Sequence, residues 1–421
     1  MDHLHSKGFQ NLTKIEDAIK ILFNSIGEPR VSAELINIHH ALGRFLGKDV
    51  VAKQYLPARD RSVMDGYAVR SEDVRNASKE RPVILDLIGE SRIGEIPRTR
   101  IKPDKAISVA TGSVIPNGAD AVVMVESTAS LSGNGIEVYS PVDKGQNIAR
   151  KGEDLEPGRV VLKKGTRLRS QDLGILGAMG LRRVRVARKP RIAILSTGSE
   201  LVDSKGKTTG AKVFDINRLL ISSMLIEIGA EPVDLGIAKD QEKEIKAALR
   251  KGLKSSDAVL VTAGSSVGKK DLVPECINKL GKPGILVHGI AMRPAMPTAL
   301  AVVNGKPLLS LPGFPTSAMF AFRAFAKPLV ARMLGVREVV EPTVKAFLKE
   351  RISGTPGLRT FVRVCVRKDA EGLVAEPLKL QRASALMSMV GANGIVTVPE
   401  DVGVFEAGQS VDVALIGDLL S

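Results

Sequence analysis

The chain has 421 residues, 44% of them hydrophobic and 25% charged, as expected of a soluble globular protein with more than one core. Lys and Arg exceed Asp and Glu by 15, but aromatic residues make up only 3% and Trp is absent, so base stacking and with it single-stranded nucleic-acid binding are disfavoured. Two distant cysteines, Cys276 and Cys365, exclude a disulfide framework and a cysteine metal cluster, and no apolar run reaches the roughly 18 residues of a membrane span.

In chain order, the first residues lack the apolar core of a secretion signal, so a cytoplasmic location is expected. Residues 11–41 read as helical, with Ile15, Ala18, Ile19 and Leu22 on one face and Thr13 and Asp17 near the start. A short strand is expected at 49–52. Between 61 and 140 short apolar runs alternate with turn residues, which predicts a compact strand-rich module. Residues 144–191 carry 14 Lys/Arg against 4 Asp/Glu, a basic stripe that suits a solvated face or an anionic small molecule. One helix is expected there, at 170–179.

From 191 to 335 strands and helices alternate, which argues a sheet with helices on both faces. Two strands, 191–195 and 257–262, are short and continuously apolar. Each runs into a Gly/Ser loop ending in a carboxylate, Ser196-Thr197-Gly198-Ser199-Glu200 and Ala263-Gly264-Ser265-Ser266-Val267-Gly268-Lys269-Lys270-Asp271. Ligands of open parallel sheets sit outside the carboxyl ends of the strands. Backbone N–H groups of Gly264, Ser265 and Ser266 suit a phosphate. Glu200, Asp240 and Asp271 near the same edge would repel one another without a cation, and Mg²⁺ beside phosphate oxygens reconciles them. The final 80 or so residues read as strands without helices, as in a small barrel or sandwich.

The segment Ser62-Val-Met-Asp65-Gly66-Tyr67-Ala68-Val69-Arg70 resembles a signature of the molybdopterin molybdenumtransferases, the MoeA family, which includes the gephyrin E-domain. Further matches follow in the same order: residues 111–123, Lys151-Gly152-Glu153-Asp154, 195–201, Asp215-Ile216-Asn217-Arg218, 235–240, 266–271 and Leu311-Pro312-Gly313. The resemblance spans nearly the whole chain.

It implies a multidomain α/β protein. An elongated linker domain (1–55 and 145–187) would carry an inserted strand-rich α+β domain (56–144). A doubly wound α/β molybdopterin-binding domain (188–335) and a C-terminal β-barrel (341–421) would follow. The implied reaction is Mg²⁺-dependent insertion of molybdate, or tungstate, into adenylylated molybdopterin with release of AMP. The implied assembly is a homodimer whose site lies between subunits, serving other cofactor-assembly proteins or recipient molybdoenzymes. By resemblance Asp65, Thr111, Asp154, Asp240 and Arg293 are catalytic. Thr197, Gly198, Gly264, Ser265, Ser266, Pro312, Gly313, Pro315 and Ser384 bind the pterin, and Glu200 and Asp271 hold the metal.

The chain departs from the family pattern around one pocket. Ala263 stands where a glycine is usual, and Lys-Pro-Gly-Lys-Pro becomes Arg293-Pro294-Ala295-Met296-Pro297. Pro-Gly-Asn-Pro becomes Pro312-Gly313-Phe314-Pro315, and Gly-Ser-Gly becomes Ala383-Ser384-Ala385. Met296 cannot bind an anion and Phe314 cannot hydrogen-bond. These changes open a second reading, a non-catalytic pterin- or protein-binding paralogue of the same fold.

Overall fold

The computed structural model describes residues 11–27, 32–203, 206, 208–263, 272–336, 341–370 and 372–419. The first helix, α1 (Ile15–Ile26), buries Ile15, Ala18 and Leu22 and stops at Gly27, whose φ is +65°. It is shorter than the expected 11–41. The chain instead turns into a strand, β1 (Ala33–Asn37). The cause is non-local: β1 pairs antiparallel with a strand some 150 residues on, Ala33 facing Ala187 and Asn37 facing Arg183. The apolar face of α1 packs not on β1 but in the core of the later α/β sheet, beside Ile192, Leu300 and Leu309.

Next come β2 (Arg61–Ser62), β3 (Gly66–Val69), β4 (Val83–Ser91), β5 (Lys105–Val109), β6 (Ala121–Met124), β7 (Thr128–Ser130) and β8 (Gly135–Val138). Six of them form one sheet in the order β6-β3-β5-β4-β8-β7. Its apolar residues fall into two cores. Val69, Leu85, Ala106, Val123 and Ile136 lie in one, and Ala68, Ile107, Val109 and Val122 in the other. This alternation is what period-2 burial on both faces requires. The remaining strand, β2, pairs with β9 (Ile148–Ala149). Then follow α2 (Ser170–Ala178) and β10 (Arg183–Ala187), the partner of β1.

The α/β sheet comprises β11 (Arg191–Thr197), β12 (Glu231–Ala238), β13 (Ala258–Ala263), β14 (Pro283–His288), β16 (Ala299–Val303) and β17 (Lys306–Pro312), with a short β15 (Met292–Arg293) outside it. Its order is β12-β11-β13-β17-β16-β14. The first four strands are parallel, while β16 runs antiparallel to β17 and β14 antiparallel to β16. Helices α3 (Asn217–Glu227), α4 (Glu242–Ser255) and α5 (Val273–Asn278) connect the strands. Every residue of β13 is buried, because one face meets the core of α1 and α3 and the other that of α4 and α5. A final helical stretch runs through α6 (Pro315–Ala321), a π-turn at Phe322–Ala326 and α7 (Lys327–Met333).

The last module contains β18 (Thr343–Leu348), β19 (Arg359–Lys368), β20 (Leu373–Pro377), β21 (Gly394–Val398) and β22 (Ser410–Leu415). The pairings β19-β20-β18-β22-β21 return to β19, so five strands close into a barrel around Val364, Val366, Val396 and Val413. Closure leaves no free edge within that ring. The barrel joins the α/β module through β15, which pairs with β19, and through the stacked rings of Phe320 and Phe361, 5.2 Å apart.

Candidate functional site

The crossover from β11 to β12 turns to one side, and the next, through α4, passes back over β11 to β13. The topological switch point therefore lies between β11 and β13. Ser196 and Thr262 mark it with a buried hydroxyl pair 2.9 Å apart, and Thr197 Oγ1 donates to the Thr262 carbonyl at 3.2 Å. β11 ends in Ser196-Thr197 and β13 carries Thr262 next to its last residue, so both tips hold hydrogen-bonding groups without much side-chain bulk.

The loop after β11 bends at Gly198 (φ +156°), over which the Glu200 carboxylate folds. A Cβ on this glycine would lie 2.8 and 2.9 Å from the two carboxylate oxygens. Asp240, just beyond β12, accepts the Ser199 N–H at 2.9 Å, and Ser199 Oγ accepts the Asp240 N–H at 3.2 Å. Glu200 and Asp240 thus stand together as exposed carboxylates at the carboxyl ends of adjacent parallel strands. Gly264, Ser265, Ser266 and Asp271, expected in the neighbouring loop, lie outside the described residues.

At the end of β17, Pro312 is buried and Phe314 is 54% exposed. Pro315 opens α6, where a missing N–H costs nothing. The Gly313 carbonyl accepts from Asn217 Nδ2 at 2.7 Å. Asn217 sits in a quoted motif, but sequence reasoning gave it no role. It is buried, and its Oδ1 has no hydrogen-bond partner among the described residues; nor has the buried Thr316 Oγ1. Buried polar atoms left unpaired in this way are uncommon in folded proteins. Asp215 and Asp234 clamp Arg218 beside them, which fixes the start of α3.

Arg293 lies on β15, hydrogen-bonded to the barrel strand, and its guanidinium donates to Thr355 Oγ1 at 3.0 Å. Ala295, in the same loop, has φ +84° and is 4% exposed. The left-handed backbone costs an alanine about 1–2 kcal/mol, while its buried methyl returns roughly 0.8 kcal/mol. The methyl offsets only part of the strain, so the left-handed alanine remains a net cost to the fold. The carbonyl of Met296 accepts from Ile290 N. In the barrel, Ser384 is exposed, two residues after Arg382, whose carbonyl accepts from Arg363 NH2 at 3.4 Å. Arg363 is fully buried, donates through NH2 to the Leu380 carbonyl at 3.2 Å, and its Nε and NH1 have no partner among the described residues. Burial pushes its guanidinium below the usual range. An arginine inside the otherwise apolar run Phe361–Val366 is the available signal for this group, which sequence reasoning missed.

A second cluster lies on the inserted sheet. Asp65 precedes β3 and Thr111 follows β5, and the antiparallel pairing of Gly66 with Val109 sets them side by side. Asp65 Oδ1 accepts from Thr111 N at 2.7 Å and from Thr111 Oγ1 at 3.0 Å. The backbone N–H first, then the hydroxyl, holds the exposed Asp65 carboxyl below its ordinary range. Asp154 lies in a separate turn, where its N–H donates to the Leu56 carbonyl at 3.1 Å. Among the described residues the side chains of Asp65 and Thr111 hydrogen-bond to each other and not to the α/β sheet. No group of three or more His, Cys, Asp or Glu gathers as a metal cage among the described residues.

Comparison with known proteins places this arrangement. Residues 13–180 match the MoeA N-terminal region (domain I and II), 193–332 a probable molybdopterin binding domain, and 345–416 the MoeA C-terminal region (domain IV). A molybdopterin molybdenumtransferase of Bacillus subtilis is 34% identical over 91% of this chain and 90% of its own. The chain belongs to the molybdopterin molybdenumtransferase family. A relative of the same name from Staphylococcus aureus is 32% identical over 96% of both chains. A solved molybdopterin biosynthesis MoeA protein from Pyrococcus horikoshii superposes with a TM-score of 0.84, at 32% identity, over 96% of this chain and all of that one. The family's multidomain architecture, with its doubly wound α/β domain and C-terminal barrel, is therefore the architecture of this chain.

Proposed function

We propose that the protein is a molybdopterin molybdenumtransferase of molybdenum cofactor biosynthesis. It binds adenylylated molybdopterin at the β11/β13 switch point, cleaves the phosphoanhydride with release of AMP, and transfers molybdenum from molybdate, or tungsten from tungstate, to the dithiolene. What supports the reading is that Thr197, Gly198 and Glu200 stand at that switch point, with Asp240 beside them at the end of β12, in a chain that the family models match over 13–180, 193–332 and 345–416. Pro312, Gly313 and Pro315 would border the pterin, with Gly264, Ser265 and Ser266 at its phosphate and Ser384 approaching from the barrel.

The exposed carboxylate of Glu200 is a hard oxygen donor of the type Mg²⁺ prefers. Glu200 with Asp271 would hold the ion, which when bound supplies charge neutralisation at the phosphoryl oxygens. Arg293 would add a fixed positive charge, and Asp240 would orient the loop through Ser199. Asp65, Thr111 and Asp154 would act from the second subunit of a homodimer, as the family resemblance implies. The division into a linker (1–55, 145–187), an inserted domain (56–144), an α/β domain (188–335) and a barrel (341–421) belongs to this reading, with α1 packed on the α/β module. A cytoplasmic location and transfer of product to recipient molybdoenzymes complete it.

Matches to curated molybdopterin molybdenumtransferases over 91–96% of the chain favour this enzyme over the non-catalytic paralogue. The purified protein, given adenylylated molybdopterin, Mg²⁺ and molybdate or tungstate, is expected to release AMP and to lose that activity with EDTA. No AMP release with either oxyanion would sink the reading.

A further inference from the structure

Two neighbours at the start of β2, Asp60 and Arg61, reach two different turns. Asp60 Oδ1 accepts the Lys151 N–H at 2.7 Å, and its other oxygen lies 3.6 Å from Arg150 NH1. Lys151 opens the turn that carries Asp154, and that turn is further held by Gly152 N on the Pro57 carbonyl and Arg150 N on Glu153 Oε2. Arg61 NH1 donates to the Gly112 carbonyl at 2.7 Å, while the Gly112 N–H donates to the Ser62 carbonyl at 2.8 Å. Both backbone groups of Gly112, which sits at φ +88°, are therefore held from residues 61 and 62. The residue before it, Thr111, is the one bonded twice to Asp65.

Global stability gives little reason for this arrangement. Arg61 is exposed and Asp60 half-buried, neither belongs to a core, and β2 is two residues long. Single exposed hydrogen bonds of this kind add little to a fold. What they do fix is relative position. One dipeptide ties the turn bearing Thr111, on the inserted sheet, to the turn bearing Asp154, on the neighbouring module.

We propose that Asp60 and Arg61 are positioning residues that hold the Asp65–Thr111 pair and Asp154 in a common register. The proposal rests on the reading of those three as reacting-site residues. It is tested in the full chain with Arg61→Met, which removes the donor and keeps the stem, and Asp60→Ala. Arg61→Lys and Asp60→Asn keep a donor and an acceptor. Amide exchange is expected to rise about tenfold at Thr111 and Gly112 in the first variant and at Lys151 and Gly152 in the second, while β3 and β5 stay protected. In AMP release, kcat is expected to fall about tenfold with KM within about twofold of the parent, as for lost alignment. The Lys and Asn variants restore both readouts.

Unchanged exchange at those four amides overturns the proposal. So does exchange raised across the whole inserted sheet, or kcat unaffected in a protein that Thr111→Val impairs. A parent protein that releases no AMP refutes the proposed function instead, and the exchange pattern alone then decides whether the pair holds both turns.

Discussion

Gly66 illustrates how much one side chain can decide. A Cβ there would lie 1.9 Å from the Val123 carbonyl oxygen, a contact that only backbone movement could relieve. Gly66→Ala is therefore expected to cost about 3 kcal/mol, the upper end for overpacking, measured as a fall in the urea midpoint. A neutral result would mean that β3 and β6 separate freely. The sequence marks the position only as a glycine after an aspartate, which reads equally as a turn. What makes the glycine necessary is the strand across from it, more than 50 residues away in the chain. Asp65 and Thr111 were named from a family motif; their mutual hydrogen bonds, and the lowered carboxyl that follows, come from strand register.

At the scale of elements, the apolar strands β11 and β13 were legible because burial on both faces demands uninterrupted Val, Ile, Leu and Ala. Their pairing at the switch point was not, since parallel partners carry no local signal. The Ser196–Thr262 hydroxyl pair gives that pairing a test. Thr262→Val leaves Ser196 Oγ buried without its partner and is expected to cost about 1–3 kcal/mol. Adding Ser196→Ala removes the stranded group, so the double variant should be more stable than the sum of the two singles, by a double-mutant cycle in urea. Strict additivity would show that the two hydroxyls do not interact. The opposite failure is β1, read as a continuation of α1. The local apolar pattern permitted a helix, and a distant strand supplied the backbone partners that made β1 extended.

In the whole molecule, the barrel is fastened to the α/β module by apolar and charged contacts. Glu341, at the connection, accepts from Lys327 Nζ at 2.6 Å and Arg323 NH2 at 2.7 Å, both from the final helical stretch. Burial alone would raise its carboxyl, but the hydrogen bond from Lys327 and the charges of Arg323 and Lys327 outweigh it and hold the group below its ordinary value of 4.5. A depressed carboxyl stabilises the fold above its unfolded pKa, and the contribution is lost as pH falls through the folded value. Thermal melts from pH 7 to pH 3 should therefore lose stability below about pH 4.5. Glu341→Gln should be less stable at pH 7 and show a shallower loss over that range. Identical profiles for parent and variant would remove Glu341 from the connection. Arg359 makes a second fastening, pairing with Glu16 of α1 and with Glu400 in the connection between β21 and β22.

By itself the sequence determined the class of each region, the apolar strands of the α/β module, the strand-rich character of its neighbours and, through ordered motifs, the family. The regional classes follow from local composition and periodicity, and the family from the resemblance of its ordered motifs; both survive without knowledge of what packs against what. The tertiary structure decided what depends on partners far along the chain: the strand order that puts the switch point between β11 and β13, the closure of five strands into a barrel, and the docking of α1 on the α/β core. It also decided that Asp60 and Arg61 hold two separate turns. Hydrogen bonds and burial of this kind join residues that are neighbours only in space, and one-dimensional pattern carries no record of them.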